Sequence, residues 1–360
     1  MVIDRRMLLA GLASAALAGR ACANSGARPT IGAIRWDAWY TQSATDGIRS
    51  VVQNTLSPTR WQGRAPSCAV VDAPDAISLD KCGVQSRIDI EIVKAHTARI
   101  DYWAYCWFGA DHPMQRAWRL HQSSPNKTLV KWCCIFSYEP FVRQVTCALP
   151  ELVGLLTAPN YQTVLDGRPL LFMLTDDTKP SVLSDAIRGL RRECQRSGRK
   201  NPYVVLMLWS PLQGGGLAAT GADAVSAYAT MGEVPIAGSY TELVTIAEAY
   251  WKVLADSGQA IVPTAMTGWD TRPRQETPTP WPTTGLGPSG EEHYYLLGSA
   301  HQVAAHVHNM SAWIRTHPQS CPAQTGIIYS WDEHDEGGSV LNSTIVGGDS
   351  ILDAVGQALK

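Results

Sequence analysis

The sequence predicts an α/β protein folded as a single (β/α)8 barrel. Short apolar, β-rich runs alternate with helical patterns along most of the 360 residues, and eight such runs can be found. Some are apolar without interruption, such as residues 204–209, which is typical of parallel strands buried on both faces. An open doubly wound sheet is the alternative. No Gly-x-Gly-x-x-Gly motif follows the first run, so nothing favours a nucleotide-binding fold.

The predicted strands and helices follow one another in regular order. The strands cover residues 30–38, 100–108, 128–136, 169–174, 203–209, 222–227, 260–267 and 326–331. The helical patterns between them cover residues 88–98, 140–156, 182–197, 242–254 and 298–316. Three consecutive glycines at 214–216 lack the spacing of a phosphate-binding motif, so we expect a flexible turn there.

Residues 1–23 predict a secretory signal peptide of the twin-arginine type. Arg5 and Arg6 form a charged start, and the apolar run that follows at 7–18 is too short to span a bilayer. The sequence Ala-Cys-Ala at 21–23 suits a cleavage site. An ordinary signal with a chance arginine pair and a lipoprotein signal are the alternatives.

We therefore expect the mature chain, residues 24–360, to be a single barrel domain that is periplasmic or secreted. Eight cysteines remain in it, and an even number is compatible with disulfides in an exported protein. Cys68 and Cys82 are the best local pair, because they flank a proline-containing stretch that resembles a loop. No cysteine or histidine spacing matches a zinc site, and we predict neither a metal nor an organic cofactor.

The composition argues against nucleic acid as a partner and is compatible with sugar. The net charge is −2 and only 17% of residues are charged, without a basic stripe. The chain has 13 Trp and 12 Tyr against 4 Phe, and these two residue types combine a flat apolar face with a polar edge. That combination suits stacking on sugar rings, although a tryptophan-rich core explains the numbers equally well. We expect no membrane insertion of the mature chain.

Aromatic and charged residues gather at the ends of the predicted strands. In a (β/α)8 barrel these ends form the face that carries the active site. The candidate ligand-binding residues there are Trp36, Asp37, Tyr40, Trp103, Trp107, Glu139, Trp269, Asp270, Arg272 and Arg274. Asp176 and Asp177 follow the fourth strand. The grouping favours a carbohydrate ligand, although each tryptophan could equally belong to the core and the arginines could form surface ion pairs.

Four acidic residues and a histidine at 332–336 directly follow the last predicted strand. Crowded carboxylates raise one another's pKa, so one can act as a general acid while its neighbour stays ionised as a base. Cleavage of a glycosidic bond needs this division of roles. A solvated acidic turn and a calcium site are the alternatives, although the spacing does not match an EF-hand loop.

Residues 331–337, Trp-Asp-Glu-His-Asp-Glu-Gly, resemble the Trp-Asn-Glu-Trp-x-Glu-Gly signature of glycoside hydrolase family 99 and of the related WbsX-like polysaccharide proteins. Three further segments, 92–108, 161–169 and 268–274, resemble pieces of these proteins in the same order. The downstream Glu-Pro of the family is missing near residues 341–343.

The resemblance implies a (β/α)8 barrel that acts on carbohydrate. In family 99 the first signature glutamate is the base and the second is the acid. This implies that Glu333 takes the proton of the sugar 2-hydroxyl and that Glu336 protonates the leaving oxygen. An epoxide-like intermediate and net retention would follow. Trp331, Asp332 and His334 are then expected to contact substrate, with Asp332 replacing the family's Asn and His334 its Trp.

The sequence therefore predicts an exported glycoside hydrolase that cleaves a polysaccharide or glycan by carboxylate acid/base catalysis. A non-catalytic sugar-binding protein on the same scaffold is one alternative, because the signature is altered. A transferase of polysaccharide assembly is the other, and the lack of a nucleotide-sugar or phosphate motif counts against it.

Replacing Arg5 and Arg6 with lysine should block export without affecting folding, because the twin-arginine route reads the arginine pair and not only its charge. Immunoblotting of periplasmic and cytoplasmic fractions would compare the R5K/R6K variant with wild type. Unchanged delivery of the variant to the periplasm would assign the general secretion route instead.

Overall fold

The computed structural model describes residues 28–41, 47–175, 179–209, 219–281, 292–341, 343 and 350–360. The predicted signal peptide, Asp176, Asp177 and the glycines at 214–216 lie outside the described residues. Within the described ranges, no helix combines the length and the apolar character needed to cross a membrane.

Eight parallel strands with flanking helices form a nearly closed barrel, which confirms the predicted fold class. The strands of the chain are β1 (Thr30–Arg35), β2 (Val70–Ala73), β3 (Ala76–Ser78), β4 (Tyr102–Cys106), β5 (Lys131–Phe136), β6 (Thr163–Val164), β7 (Arg168–Leu174), β8 (Tyr203–Leu208), β9 (Ala224–Ala227), β10 (Thr264–Met266) and β11 (Thr325–Tyr329). Around the barrel the order is β1-β4-β5-β7-β8-β9-β10-β11, and β11 pairs with β1. Strands β2 and β3 form a separate antiparallel hairpin, and β6 pairs with the start of β7.

The gap between β9 and β10 is bridged by the backbone. Val225 N donates to Ala260 O, and Val262 N donates to Val225 O, both at 2.9 Å. These bonds join β9 to the segment that leads into β10. The open doubly wound sheet is therefore excluded.

The helices form the outer layer. They are α1 (Ile48–Leu56), α2 (Gln85–Thr97), α3 (Arg116–Ser123), α4 (Tyr138–Cys147), α5 (Leu149–Leu156), α6 (Pro180–Arg196), α7 (Tyr240–Asp256), α8 (Arg272–Glu276), α9 (Ala300–Thr316) and α10 (Ile351–Ala358). The single helix predicted over 140–156 is wrong, since α4 and α5 are separated at Ala148. Pro150 explains the break, because proline lacks an N–H and is tolerated in the first turn of a helix rather than its interior.

Two of the long helices begin with capping boxes. The Ser239 side chain accepts from Glu242 N at 3.2 Å, and the Glu242 carboxylate accepts from Ser239 N at 2.5 Å. Ser299 and Gln302 make the same reciprocal pair at the start of α9. Each pair satisfies N–H groups that the first helical turn leaves without a partner, which fixes where α7 and α9 start.

Neighbouring strand residues face different layers. Tyr102 lies across Gly32 inside the barrel, where an added Cβ on the glycine would overlap the ring. The Tyr102 hydroxyl donates to the Gly326 carbonyl at 3.1 Å, across the width of β1. The next residue, Trp103, points outward, with its ring 5.1 Å from that of His121 on α3. Two residues that adjoin in sequence at a strand end can thus lie on opposite sides of the barrel wall.

Cys68 and Cys82 form a disulfide with their Cα atoms 5.2 Å apart, which confirms the predicted local pair. The bond closes the loop that contains the β2–β3 hairpin and ends just before α2. The other cysteines of the described residues are free, and they are Cys106, Cys133, Cys134, Cys147, Cys194 and Cys321.

Removing this disulfide in a C68A/C82A variant should lower the free energy of unfolding by about 2–4 kcal/mol, because a cross-link constrains the unfolded chain. The two cysteines are 14 residues apart in sequence. Urea denaturation followed by tryptophan fluorescence measures the change. The C147A variant removes an exposed free cysteine and is the matched control, which should unfold like wild type. Equal stability of all three proteins would contradict the prediction.

Candidate active site

A tight loop holds the acidic segment that follows β11. The backbones of Glu333 and Gly338 exchange two hydrogen bonds, of 3.1 and 3.0 Å. A 3-10 turn over His334–Glu336 lies between them, and Gly337 follows with a φ of 69°. An added Cβ on Gly338 would overlap the Tyr329 ring, so the glycine allows the loop to pack against the strand it leaves.

Glu333 and Glu336 both reach the hydroxyl of Tyr329. Tyr329 donates to Glu336 Oε2, and its oxygen lies 3.4 Å from Glu333 Oε2. Tyr228, directly after β9, donates to Glu333 Oε1 at 2.5 Å. Glu333 and Glu336 are only 4% and 9% exposed. The loop therefore brings the two predicted catalytic residues together in a site with little access for water.

Arg274 connects this loop to the one that follows β10. Its Nε and Nη2 donate to the two oxygens of Asp335 at 2.7 and 3.0 Å, and its Nη1 donates to Glu336 Oε1. The backbone adds a second link, since Asp270 N donates to the Glu336 carbonyl at 2.6 Å. The buried guanidinium offsets the repulsion between two carboxylates that adjoin in sequence.

Burial and the neighbouring Glu336 raise the pKa of Glu333 well above its ordinary value, against the opposing effect of Arg274. Burial also raises the pKa of Tyr228 and of Tyr329, so both hydroxyls stay protonated. The raised pKa favours the protonated form of Glu333, whereas Glu336 makes an ion pair with Arg274. Two carboxyl groups in different surroundings beside a shared hydroxyl are suited to acid/base chemistry.

Aromatic side chains lie on both sides of the pair. Trp209 directly follows β8, is 37% exposed, and has its ring 5.7 Å from that of Tyr228. Trp36 and Trp281 meet edge to face at 5.1 Å and are half-buried. The Arg274 guanidinium lies 5.1 Å from the Trp36 ring and 5.7 Å from the Trp281 ring. The carboxylates thus lie between two aromatic surfaces.

A second buried network lies between the barrel wall and α2. Arg35 of β1 donates to Asp37 through Nε and Nη2, at 2.9 and 2.7 Å, and to Glu91 of α2 through Nη1, at 3.2 Å. Its guanidinium also lies 3.7 Å from Asp332. Glu91 accepts a further bond from Trp331 Nε1 at 3.1 Å. The network ties the segment after β11 to the helix layer.

Two arginines face three carboxylates in this network, because Arg87 also pairs with Glu91. Burial and Asp37 raise the pKa of Asp332 well above its ordinary value. Burial acts to raise the pKa of Glu91, but Arg35 and Arg87 outweigh this effect and hold that pKa below its ordinary value. Burial also raises the pKa of Asp37. A proton on Asp332, which its raised pKa favours, would be shared with Asp37 and would leave two cations facing two anions. In this state Asp332 offers one donor and one acceptor, as an asparagine amide also can.

Several predicted substrate contacts are buried side chains. They are Asp37, Tyr40, Trp103, Trp107, Trp331, Asp332 and His334, each at most 5% exposed. Their contact with substrate stays a prediction, because alternate residues of a strand face opposite sides and the position after a strand does not say which. Trp107, for example, packs on Trp118 with ring centroids 5.1 Å apart.

The remaining predicted contacts lie in different surroundings. Asp270 is bound by Arg64 and accepts two bonds from Arg272, at 2.9 and 2.8 Å, so the arginines form an ion-pair cluster. Trp269 is 4% exposed and packs on Tyr329, with ring centroids 5.5 Å apart. Glu139 is exposed in the first turn of α4, and its contact with substrate stays a prediction.

Sequence reasoning missed several residues of the site, namely Arg64, Trp209, Tyr228, Trp281 and Tyr329. Trp209 and Tyr228 stand at the ends of predicted strands, so the rule that selected the other candidates could have found them. Tyr329 lies inside the last predicted strand, and Trp281 lies beyond every strand end. No signal in the sequence marks these two.

A cavity of about 280 Å³ adjoins the loop, and its lining includes His334 and Gly337 but neither Glu333 nor Glu336. It lies beside the carboxylate pair and does not enclose it. Over the part of the chain that the structure describes, no group of three or more His, Cys, Asp or Glu side chains could hold a metal ion.

Two solved structures of a GH99 endo-alpha-mannosidase have a fold similar to that of this chain. A structure of the GH99 endo-alpha-mannosidase from Bacteroides thetaiotaomicron matches with a TM-score of 0.51 and 14% identity, covering 77% of this chain and 79% of that one. A structure of the GH99 endo-alpha-mannosidase from the same organism, in complex with Bis-Tris-propane, matches with a TM-score of 0.58 and 13% identity, covering 91% and 95%. These matches confirm the predicted resemblance at the level of the fold. No protein-family model and no curated protein matches the chain.

Asp332→Asn should change the pH dependence of stability. Because the pKa of Asp332 is raised in the folded state, its contribution to stability is complete below the unfolded pKa of about 4 and is lost as pH rises through the folded value. Asparagine does not titrate and can still donate to Asp37. The free energy of unfolding of the variant relative to wild type should therefore rise from pH 4 to 8, by up to about 1.4 kcal/mol per pH unit.

The control for this experiment is Asp37→Asn, which removes the carboxylate that bonds Arg35. It should destabilise by about 3–5 kcal/mol, because it breaks a buried ion pair. Urea denaturation at several pH values measures both variants. A difference between D332N and wild type that does not change with pH would place the proton elsewhere in the network.

Proposed function

We propose that the protein is an exported glycoside hydrolase that cleaves a polysaccharide or glycan, with Glu333 and Glu336 as its catalytic carboxylates. One observation carries the proposal: two buried carboxyl groups meet at one tyrosine hydroxyl, beyond the C-terminal end of a barrel strand. Active sites of (β/α)8 enzymes lie at this end of the barrel. The fold shared with endo-alpha-mannosidases supports carbohydrate as the substrate class.

The reaction requires two coordinated proton transfers. Glu336 donates a proton to the glycosidic oxygen, while Glu333 takes the proton of the sugar 2-hydroxyl. The oxygen at C2 then attacks C1, the leaving sugar departs as an alcohol, and an epoxide-like intermediate forms. Water opens this intermediate at C1 with the two roles reversed, which restores the 2-hydroxyl and gives net retention. The family resemblance supports this assignment of roles.

The hydroxyl of Tyr329 explains how the pair reaches its working state. The raised pKa of Glu333 favours a proton on that residue, whereas the first step needs a proton on Glu336. Glu333 can donate to the Tyr329 oxygen as Tyr329 donates its own hydrogen to Glu336. This shift of two protons exchanges the acid and the base without a free ion in the site.

The altered signature does not favour a non-catalytic sugar-binding protein. Asp332 and His334, the two departures within the motif, are buried. Among the described residues, their side-chain hydrogen bonds and ion pairs are with Trp36, Arg35 and Ser339 and with backbone rather than with Glu333 or Glu336. A protonated Asp332 also supplies the donor and acceptor of the family's asparagine. Both changes therefore leave the carboxylates intact, and hydrolysis is the function we propose.

Export remains part of the proposal. Its support is the twin-arginine-type pattern of residues 1–23 together with the Cys68–Cys82 disulfide. Structural disulfides persist in oxidising compartments such as the periplasm and are rare in the cytosol.

Glu333→Gln and Glu336→Gln should each lower kcat by at least about 100-fold, because each removes one partner of the acid/base pair. The assay measures oligosaccharides released from a panel of polysaccharides, with α-mannose polymers included, by the purified mature protein. Glu151→Gln is the matched control, since Glu151 is an exposed glutamate of α5, and it should retain wild-type turnover.

A substrate with a good leaving group separates the two roles. Such a group needs less protonation, so Glu336→Gln should recover much of its first chemical step and Glu333→Gln should not. Near-native turnover of both variants on a confirmed substrate would show that Glu333 and Glu336 are not the catalytic carboxylates. Transfer of the cleaved sugar to an acceptor, without release of free sugar, would indicate a transferase instead.

A further inference from the structure

An exposed tryptophan, Trp209, adjoins the Glu333 side of the pair. Trp209 is 37% exposed, and its ring lies 5.7 Å from that of Tyr228. Tyr228 in turn donates to Glu333. A sugar ring stacked on Trp209 would therefore lie within reach of Glu333. An exposed tryptophan offers a flat apolar face that fits the C–H face of a sugar, with polar groups left at the rim.

A different aromatic surface adjoins the Glu336 side. Trp36 and Trp281 are half-buried and meet edge to face, and both lie within 6 Å of the Arg274 guanidinium that bonds Glu336. Trp36 follows β1, whereas Trp209 follows β8. In the order β1-β4-β5-β7-β8, these strands are first and fifth of the eight around the barrel. The two surfaces therefore lie on opposite sides of the mouth.

We propose that the carboxylate pair separates two sugar subsites of opposite role. Trp209 stacks on the sugar whose C1 reacts, and the Trp36–Trp281 pair stacks on the sugar that leaves. A glycan chain would then cross the mouth from β8 to β1, with a sugar bound on each side of the bond that breaks. This inference rests on the proposed function, because it uses the roles of Glu333 and Glu336.

The direction of the chain follows from the chemistry of the bond. The 2-hydroxyl belongs to the sugar whose C1 reacts, so that sugar lies beside the base, Glu333. The glycosidic oxygen remains with the leaving sugar, so that sugar lies beside the acid, Glu336. Because Trp209 reaches the pair only through Tyr228 and Trp36 reaches it through Arg274, each surface is assigned to one sugar.

Two substrates test the assignment with the full mature chain. One is an oligosaccharide that wild type cleaves, and the other is the glycosyl fluoride of the same reacting sugar, which has no leaving sugar to stack. Trp209→Ala should lower kcat/KM by at least about tenfold on both substrates, because both place a sugar on Trp209. Trp36→Ala should lower it by a similar factor on the oligosaccharide and by a clearly smaller factor on the fluoride.

Trp281→Ala should behave like Trp36→Ala, and it serves as the second variant if Trp36→Ala fails to fold. Phe108→Ala is the matched control. Phe108 follows β4 and is 45% exposed, but its ring packs on His112 rather than on a partner of either carboxylate. It should retain wild-type kcat/KM on both substrates. Thermal unfolding checks that each variant is folded.

The opposite pattern, in which Trp36→Ala impairs the fluoride and Trp209→Ala does not, would reverse the direction and overturn the inference. Wild-type rates in both tryptophan variants, or an equal loss in Phe108→Ala, would also overturn it. These results leave the proposed hydrolase standing as long as the two Glu→Gln variants are inactive. A wild-type protein that cleaves no glycoside would remove the proposed function and the inference with it.

Discussion

The mouth of the barrel depends on one buried cation, Arg274. Its guanidinium bonds Asp335 twice and Glu336 once, and it joins the loops that follow the neighbouring strands β10 and β11. Without that charge, two carboxylates in adjacent positions would repel each other in a site with little water. The same contact therefore sets the shape of the loop and the state of the pair. The orientation of Glu333 towards Tyr329 follows from the loop that Arg274 holds.

The wall at β11 carries a charged network on each side, and the two differ in how their protons are held. Behind the wall, Asp332 and Asp37 have raised pKa values and both lie against the Arg35 guanidinium. In front of it, the Tyr329 hydroxyl connects Glu333 with Glu336 and offers a path for a proton. The rear network is suited to holding structure, whereas the front pair is suited to moving a proton.

The architecture could be predicted from the sequence because the barrel strands are buried and regularly spaced along the chain. All eight barrel strands lie where the apolar runs predicted them, within a few residues at each end. The proximity of Glu333 and Glu336 could also be predicted, since six residues of compact loop keep the two near each other in any geometry.

The direction of individual side chains could not be read in the same way. Trp36 faces the mouth and Asp37 faces the helices, although the two residues are adjacent in sequence. If the end of a strand is misplaced by one residue, every side chain after it is assigned to the wrong face of the barrel. Apolar runs without alternation have no period of two from which this error could be detected. Pro150 indicates the break between α4 and α5 in the sequence. The break was still not predicted, because the residues on both sides of it have a helical pattern.

The glycine in the middle of β1 has a consequence for access to the site. Because Gly32 has no side chain, the Tyr102 ring spans the interior from β4 to β11 and is completely buried there. The ring thereby fills the interior of the barrel beneath the loop that carries the two carboxyl groups. Glu333 and Glu336 are only 4% and 9% exposed, so a glycan bound across the mouth would isolate them from bulk solvent. Substrate binding itself would then determine when the pair can exchange its proton with the surroundings.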